Sequence, residues 1–212
     1  MNRPAGALFD LDGVLIDTEG IYTQIWTDIE SHFPTGIANF AYVIKGNTLP
    51  RILDKYFRHE DHAAIKIMLK EHEDSMPYPV FPGVMEFLHF LKEKEVPMAI
   101  VTSSGDAKME LIRRRNPEFM ACFDALITDS KVEHSKPHPD PYLKGAQALG
   151  VAPEQCVVFE DSYSGLQAGR AAGAYVVALS TTNPADTLTD KADLVVASLC
   201  DLLSTEGFCD NW

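Results

Sequence analysis

"ALFDLDGVLIDTE", residues 7–19, sets a short apolar run against two aspartates two positions apart. Nearly continuous apolar character over so few residues reads as a strand covered on both faces, which is what a parallel sheet requires. Five later segments share it: "PMAIVTS" (97–103), "DALITDS" (124–130), "CVVFED" (156–161), "YVVALS" (175–180) and "ADLVVAS" (192–198). Helical patterns lie between them. "GVMEFLHFLKEKE" (83–95) gathers Val84, Phe87, Leu88 and Leu91 on one face, and "PYLKGAQALG" (141–150) starts at proline and stops at glycine. "SGLQAGRAAGA" (164–174) is rich in small residues that let a helix approach a sheet closely. Strand alternating with helix predicts an α/β, doubly wound, Rossmann-like parallel sheet.

The first strand breaks that rhythm. Residues 17–80 carry helical periodicity without a convincing strand, in "IYTQIWTDIESHF", "LPRILDKYF" and "HAAIKIMLKEHEDS", and end at the proline-rich "MPYPVFPG". This predicts a small all-helical cap domain, 17–80, inserted after the first strand of a core made of 1–16 and 81–212.

Composition narrows the partners. A chain of 212 residues with 46% hydrophobic residues suits a globular core with a small companion. A formal net charge of −13 argues against non-specific nucleic-acid or anionic-membrane binding, since both need a basic surface. An anionic substrate would have to be met by local features. Cys122, Cys156, Cys200 and Cys209 show no metal-type or framework spacing, so unpaired thiols in a reducing compartment are expected. With neither signal-peptide pattern nor membrane-length apolar run, the expectation is a cytoplasmic monomer.

In open parallel sheets ligands bind outside the carboxyl ends of the strands. There this sequence places Asp10 and Asp12, then Thr102 and Ser103, then Glu160 and Asp161, with Lys136 in the proline-fixed loop "HSKPHPDPY". Carboxylates crowded at one edge repel each other unless a hard cation joins them, and Mg2+ takes oxygen ligands. With the metal and Lys136 neutralising charge, one aspartate can attack phosphorus while the second moves the proton. A calcium loop is the weaker reading, because Val14 and Leu15 stand where oxygen ligands are needed. Asp17 and Glu19 suit a helix start, and His59, His62 and His72 a solvated charged face. His134 and His138 flank Lys136 and could line the approach to it. Tyr22, Trp26, Tyr56 and Phe57 fit a helical core, with Tyr22 also a candidate substrate contact.

Four segments together resemble the haloacid dehalogenase-like hydrolase superfamily, in the branch containing β-phosphoglucomutase and phosphoglycolate phosphatase. "FDLDGVLIDTE" resembles its nucleophile motif, "VTSSG" its second motif, "SKPHPDPY" its lysine motif and "VFEDSYSGLQAGRAAGA" its acidic motif. The resemblance implies Asp10 as the nucleophile that becomes aspartyl-phosphate, Asp12 as general acid/base and Lys136 as the stabilising lysine. It implies phosphate binding by Thr102 and Ser103, and a magnesium site of Asp10, the Asp12 carbonyl, Glu160 and Asp161. The β-phosphoglucomutases carry a histidine where this chain has Tyr22, and an arginine at the place of Leu49, whereas here Arg51 follows two residues later in "KGNTLPR". The function expected is therefore a magnesium-dependent phosphatase acting on a small phosphorylated metabolite. A sugar phosphate mutase and a non-catalytic phosphate-binding or regulatory protein are the alternatives. A dehalogenase is disfavoured by the presence of Asp12.

Overall fold

The computed structural model describes residues 4–44, 49–205 and 207–212. The chain divides into two compact units, one formed by Met1–Asp17 with Tyr78–Trp212 and the other by Thr18–Pro77.

The larger unit is built on six parallel strands: β1 (Gly6–Phe9), β2 (Met98–Val101), β3 (Ala125–Ile127), β4 (Cys156–Glu160), β5 (Tyr175–Leu179) and β6 (Leu194–Val196). Their order across the sheet is β3-β2-β1-β4-β5-β6, so the winding reverses between β1 and β4. Each strand is shorter than its apolar segment predicts, and Asp10, Thr102 and Asp161 lie just past the ends of β1, β2 and β4. Phe9 and Phe159, paired in register, stack with centroids 4.5 Å apart under that edge, and Phe87 and Phe123 meet Phe9 edge-on. Phe9 is fully buried, and truncating such a side chain typically costs about 3–5 kcal/mol. The floor of the site is thus a packed aromatic block.

Among the described residues of the smaller unit, four helices follow one another, α1 (Glu19–His32), α2 (Phe40–Val43), α3 (Leu49–Tyr56) and α4 (His62–Ser75). Their core is aromatic: Phe40 meets Trp26 at 6.2 Å and both Tyr56 and Phe57 at 5.4 Å. The helices covering the sheet are α5 (Val84–Glu93), α6 (Asp106–Arg115), α7 (Pro117–Met120), α8 (Asp140–Leu149), α9 (Tyr163–Ala171) and α10 (Leu199–Ser204). The helix α6 is poorly announced by its sequence, since only Met109 and Ile112 of it are buried. Among the described residues no helix is long and apolar enough to cross a membrane, and all four cysteines are free thiols.

Candidate active site

The turn after β1 carries the two aspartates, and its backbone is fixed on both sides. Asp10 donates its N–H to the Phe159 carbonyl at 3.0 Å, while Leu15 and Ile16 both donate to the Leu11 carbonyl. Residues 79–81 then brace the turn, Asp17 donating to Pro79 at 2.8 Å and Phe81 to Leu15 at 3.0 Å. Gly13 is required twice over: its φ is +83°, and an added Cβ would strike the Asp161 carboxylate.

Lys136 comes to this turn from the loop between β3 and α8. Its ammonium donates to Asp10 Oδ1 at 2.5 Å, to Glu160 Oε1 at 2.7 Å and to the Val101 carbonyl at the end of β2 at 3.0 Å. Both Lys136 and Asp10 are nearly enclosed, their side chains 5% and 13% exposed. Burial works against the charge of Lys136, but Asp10 and Glu160 outweigh it and hold the ammonium above the usual lysine range.

Glu160 is fully buried, and its two oxygens are saturated. Oε1 accepts from Lys136 and from the Tyr142 hydroxyl at 2.8 Å; Oε2 accepts from the Asp161 and Ser162 amides and the Ser162 hydroxyl, each at 3.0 Å. Burial opposes its ionisation, yet Lys136, Ser162 and Tyr142 hold Glu160 below the usual carboxylate value. A carboxylate offers about four lone-pair sites, so five donors leave little room for another ligand. Gly165 makes that packing possible, because a Cβ there would collide with the Glu160 carboxylate.

Asp10, Glu160 and Asp161 each present an oxygen, all within 4.8 Å of one another. Burial pushes the Asp10 carboxyl up to about 7, with Lys136 opposing and Glu160 reinforcing the shift. Asp161 is pushed well above its usual value, first by burial and then by the charges of Glu160 and Asp10. Two carboxyls held up by desolvation and mutual repulsion, each offering a hard oxygen ligand, fit a divalent cation that would relieve both.

Asp12 stands apart from that cluster. Its carboxylate receives Lys108 Nζ on both oxygens, at 2.7 and 2.8 Å, and the Ser104 hydroxyl at 3.0 Å. Thr102 is buried and its hydroxyl accepts the Ser104 N–H at 3.0 Å, whereas Ser103 is exposed. The sequence reading missed Ser104, Lys108, Tyr142 and the segment after β5. There Thr182 donates to Asp161, Asn183 donates to the Asp161 carbonyl at 2.8 Å and Thr181 to the Gly13 carbonyl at 2.5 Å. The polar "STTN" at a strand end was the available signal.

The helical unit and the lysine loop carry the other candidates. Tyr22 donates to Glu73 at 2.8 Å within the helical unit, and Arg51 is exposed on α3. The Lys45–Gly46 pair of "KGNTLPR" lies outside the described residues. His134 and His138, their rings 4.5 Å apart, line a surface cavity of about 620 Å³ with Pro137 and Gln167, one to which none of the site carboxylates contributes.

The chain is similar to known proteins. A sequence model of the haloacid dehalogenase-like hydrolases matches residues 7–179. Hexitol phosphatase A of Escherichia coli (strain K12) is 32% identical over 96% of this chain and 95% of its own length. Fructose-1-phosphate phosphatase YqaB of the same organism is 33% identical over 81% and 94%. Among solved structures, a HAD family hydrolase from Deinococcus radiodurans R1, crystallised with bound phosphate and sodium, superposes with a TM-score of 0.79. It is 27% identical and covers 100% of this chain and 98% of its own.

Proposed function

Because the chain belongs to the haloacid dehalogenase-like hydrolases and is a phosphoric monoester hydrolase of that type, we propose that it is a magnesium-dependent phosphatase working through an aspartyl-phosphate on Asp10. Its substrate is a small phosphorylated sugar or polyol, a class supported by the relatives that act on hexitol phosphates and fructose 1-phosphate. The observation that carries the reading is the salt bridge of 2.5 Å between Asp10 and Lys136 beside Asp161, at the strand ends where the sheet reverses its winding.

Asp10 Oδ attacks phosphorus and the bond to the leaving oxygen breaks. Asp12 gives that oxygen a proton, so the alcohol leaves neutral, and is left as the carboxylate that Lys108 and Ser104 hold. Water then attacks phosphorus while Asp12 takes its proton; the acyl-phosphate bond breaks and Asp10 is regenerated with inorganic phosphate. Lys136, locked by Glu160, offsets charge on the transferring group, and Thr102 and Ser103 serve the phosphate at the end of β2. Magnesium would be held by Asp10, Asp161 and the Asp12 carbonyl, with Glu160 adding charge from behind Lys136; when bound it supplies charge neutralisation at the phosphoryl oxygens. The helical unit 18–77 is proposed as the cap domain. A panel of phosphorylated sugars, polyols and nucleotides assayed with magnesium for phosphate release tests this. Turnover that persists in Asp10→Asn, or in excess chelator, would overturn it.

A further inference from the structure

We propose that Lys108 is a positioning residue for Asp12: with Ser104 it fixes the carboxylate that moves the proton, and so governs the proton-transfer steps and not substrate binding. The proposal rests on the reading of Asp12 given above.

Four observations support it. The ammonium of Lys108 spans both oxygens of Asp12, and Ser104 adds a third donor, so rotation of the carboxylate about its bond is opposed from two directions. The pair is sheltered, with Lys108 12% and Asp12 32% exposed, which separates it from the surface ion pairs that contribute little. The donors stand on a rigid platform: Thr128 and Ser130 donate to Asp106 at 2.7 and 2.8 Å at the start of α6, and the Ser104 backbone is bonded to Thr102 and Asp129. Finally, Lys108 occupies the third position of α6, where the partial positive charge of the helix terminus disfavours a cation. A lysine drawn inward at the wrong end of its helix serves its partner and not the helix.

The function follows from geometry. Acid–base assistance requires the carboxyl within hydrogen-bond reach of the leaving oxygen and later of water, and small misplacements are costly. The tether supplies that placement from the neighbouring strand–helix unit, at the carboxyl end of β2.

Lys108→Met, Lys108→Arg and Ser104→Ala, compared with the unaltered chain, test this on a sugar phosphate and on p-nitrophenyl phosphate, whose leaving group scarcely needs a proton. Lys108→Met should lower kcat on the sugar phosphate about 10- to 100-fold with KM within about 2-fold. The first burst of p-nitrophenol should slow by less than about 3-fold, because that step bypasses the acid. Lys108→Arg should recover most of the loss, and Ser104→Ala should give the same pattern at smaller size even if Lys108→Met folds poorly. In an Asp12→Asn background Lys108→Met should add nothing, since both act through one group. A raised KM at unchanged kcat would make Lys108 a substrate contact and overturn the proposal. So would equal losses on both substrates accompanied by a lowered Tm, or no change at all. An unaltered chain that releases phosphate from no member of the panel would sink the phosphatase reading itself, and the positioning role with it.

Discussion

Asp10 and Asp12 are two residues apart, yet their surroundings are opposite. Asp10 is enclosed at the β1–β4 junction, bound to a lysine that is itself locked by a saturated glutamate. Asp12 is a third exposed and is held by donors on the β2–α6 corner. The first environment allows almost no motion and pushes the carboxyl up by burial, a debt that a cation can cancel. The second leaves the carboxylate partly exposed. Covalent bonding wants a fixed atom aligned on phosphorus, and proton transfer wants an accessible one, so the contrast in burial supports the two proposed roles.

The largest expected effect comes from breaking the enclosed side. Asp10→Asn keeps the shape but removes the nucleophile and one half of the Lys136 ion pair. Turnover should fall by at least about 10⁴-fold on every substrate, with no burst of p-nitrophenol. Breaking the open side is milder and selective. Asp12→Asn should cost about 10²–10⁴-fold on a sugar phosphate. With p-nitrophenyl phosphate it should instead release a burst near one equivalent per site and then turn over slowly, because the base for the second step is gone. A burst in Asp10→Asn, or none in Asp12→Asn under rapid mixing, would reverse the assignment.

Much of this contrast is written locally in the chain. The strands were legible because burial on both faces forces unbroken apolar runs, and the grouping of Asp10, Lys136 and Asp161 because each lies just past a strand or in a proline-fixed loop. What surrounds Asp12 was not legible. Lys108 looks like any solvated lysine in "GDAKMELIRRR", and only the adjacency of β2 to β1 brings it to Asp12. Thr182 reaches Asp161 for the same kind of reason, because β5 neighbours β4. Contacts made across strands are set by topology, which no short window contains. The helix α6 was hidden by its thin apolar stripe.

Between the extremes lies the support of Lys136. Gly165→Ala drives a methyl group into the Glu160 carboxylate and must displace it or the start of α9. Overpacking of this kind costs about 1–3 kcal/mol of stability. The sharper consequence is that Lys136 loses its alignment on Asp10. The expected outcome is a Tm lowered by a few degrees together with a kcat loss on a sugar phosphate smaller than that of Asp12→Asn and a reduced p-nitrophenol burst. A variant with lowered Tm but unchanged burst would mean that Glu160 only fills space.

The smallest effect probes the metal without touching a ligand. Thr182 donates to Asp161 Oδ2 from the segment after β5, and its hydroxyl partly offsets the repulsion that Glu160 and Asp10 impose on that carboxylate. Thr182→Val keeps the volume and removes the donor. Asp161 then loses an orienting contact, and partners of this kind are typically worth about 10- to 100-fold in metal affinity. The loss should therefore fall on magnesium and not on the chemistry. Titrating magnesium at saturating substrate should show the activation midpoint raised by about 10-fold or more, while kcat at saturating metal stays within about 3-fold. Calorimetric titration of magnesium into the protein without substrate should show the same weakening, which separates a metal effect from a substrate effect. The Asp12 side should be untouched, so the p-nitrophenol burst at high magnesium should keep its size. A midpoint that does not move, with kcat reduced instead, would place Thr182 with the proton-transfer side of the site and erase the division between the two aspartates.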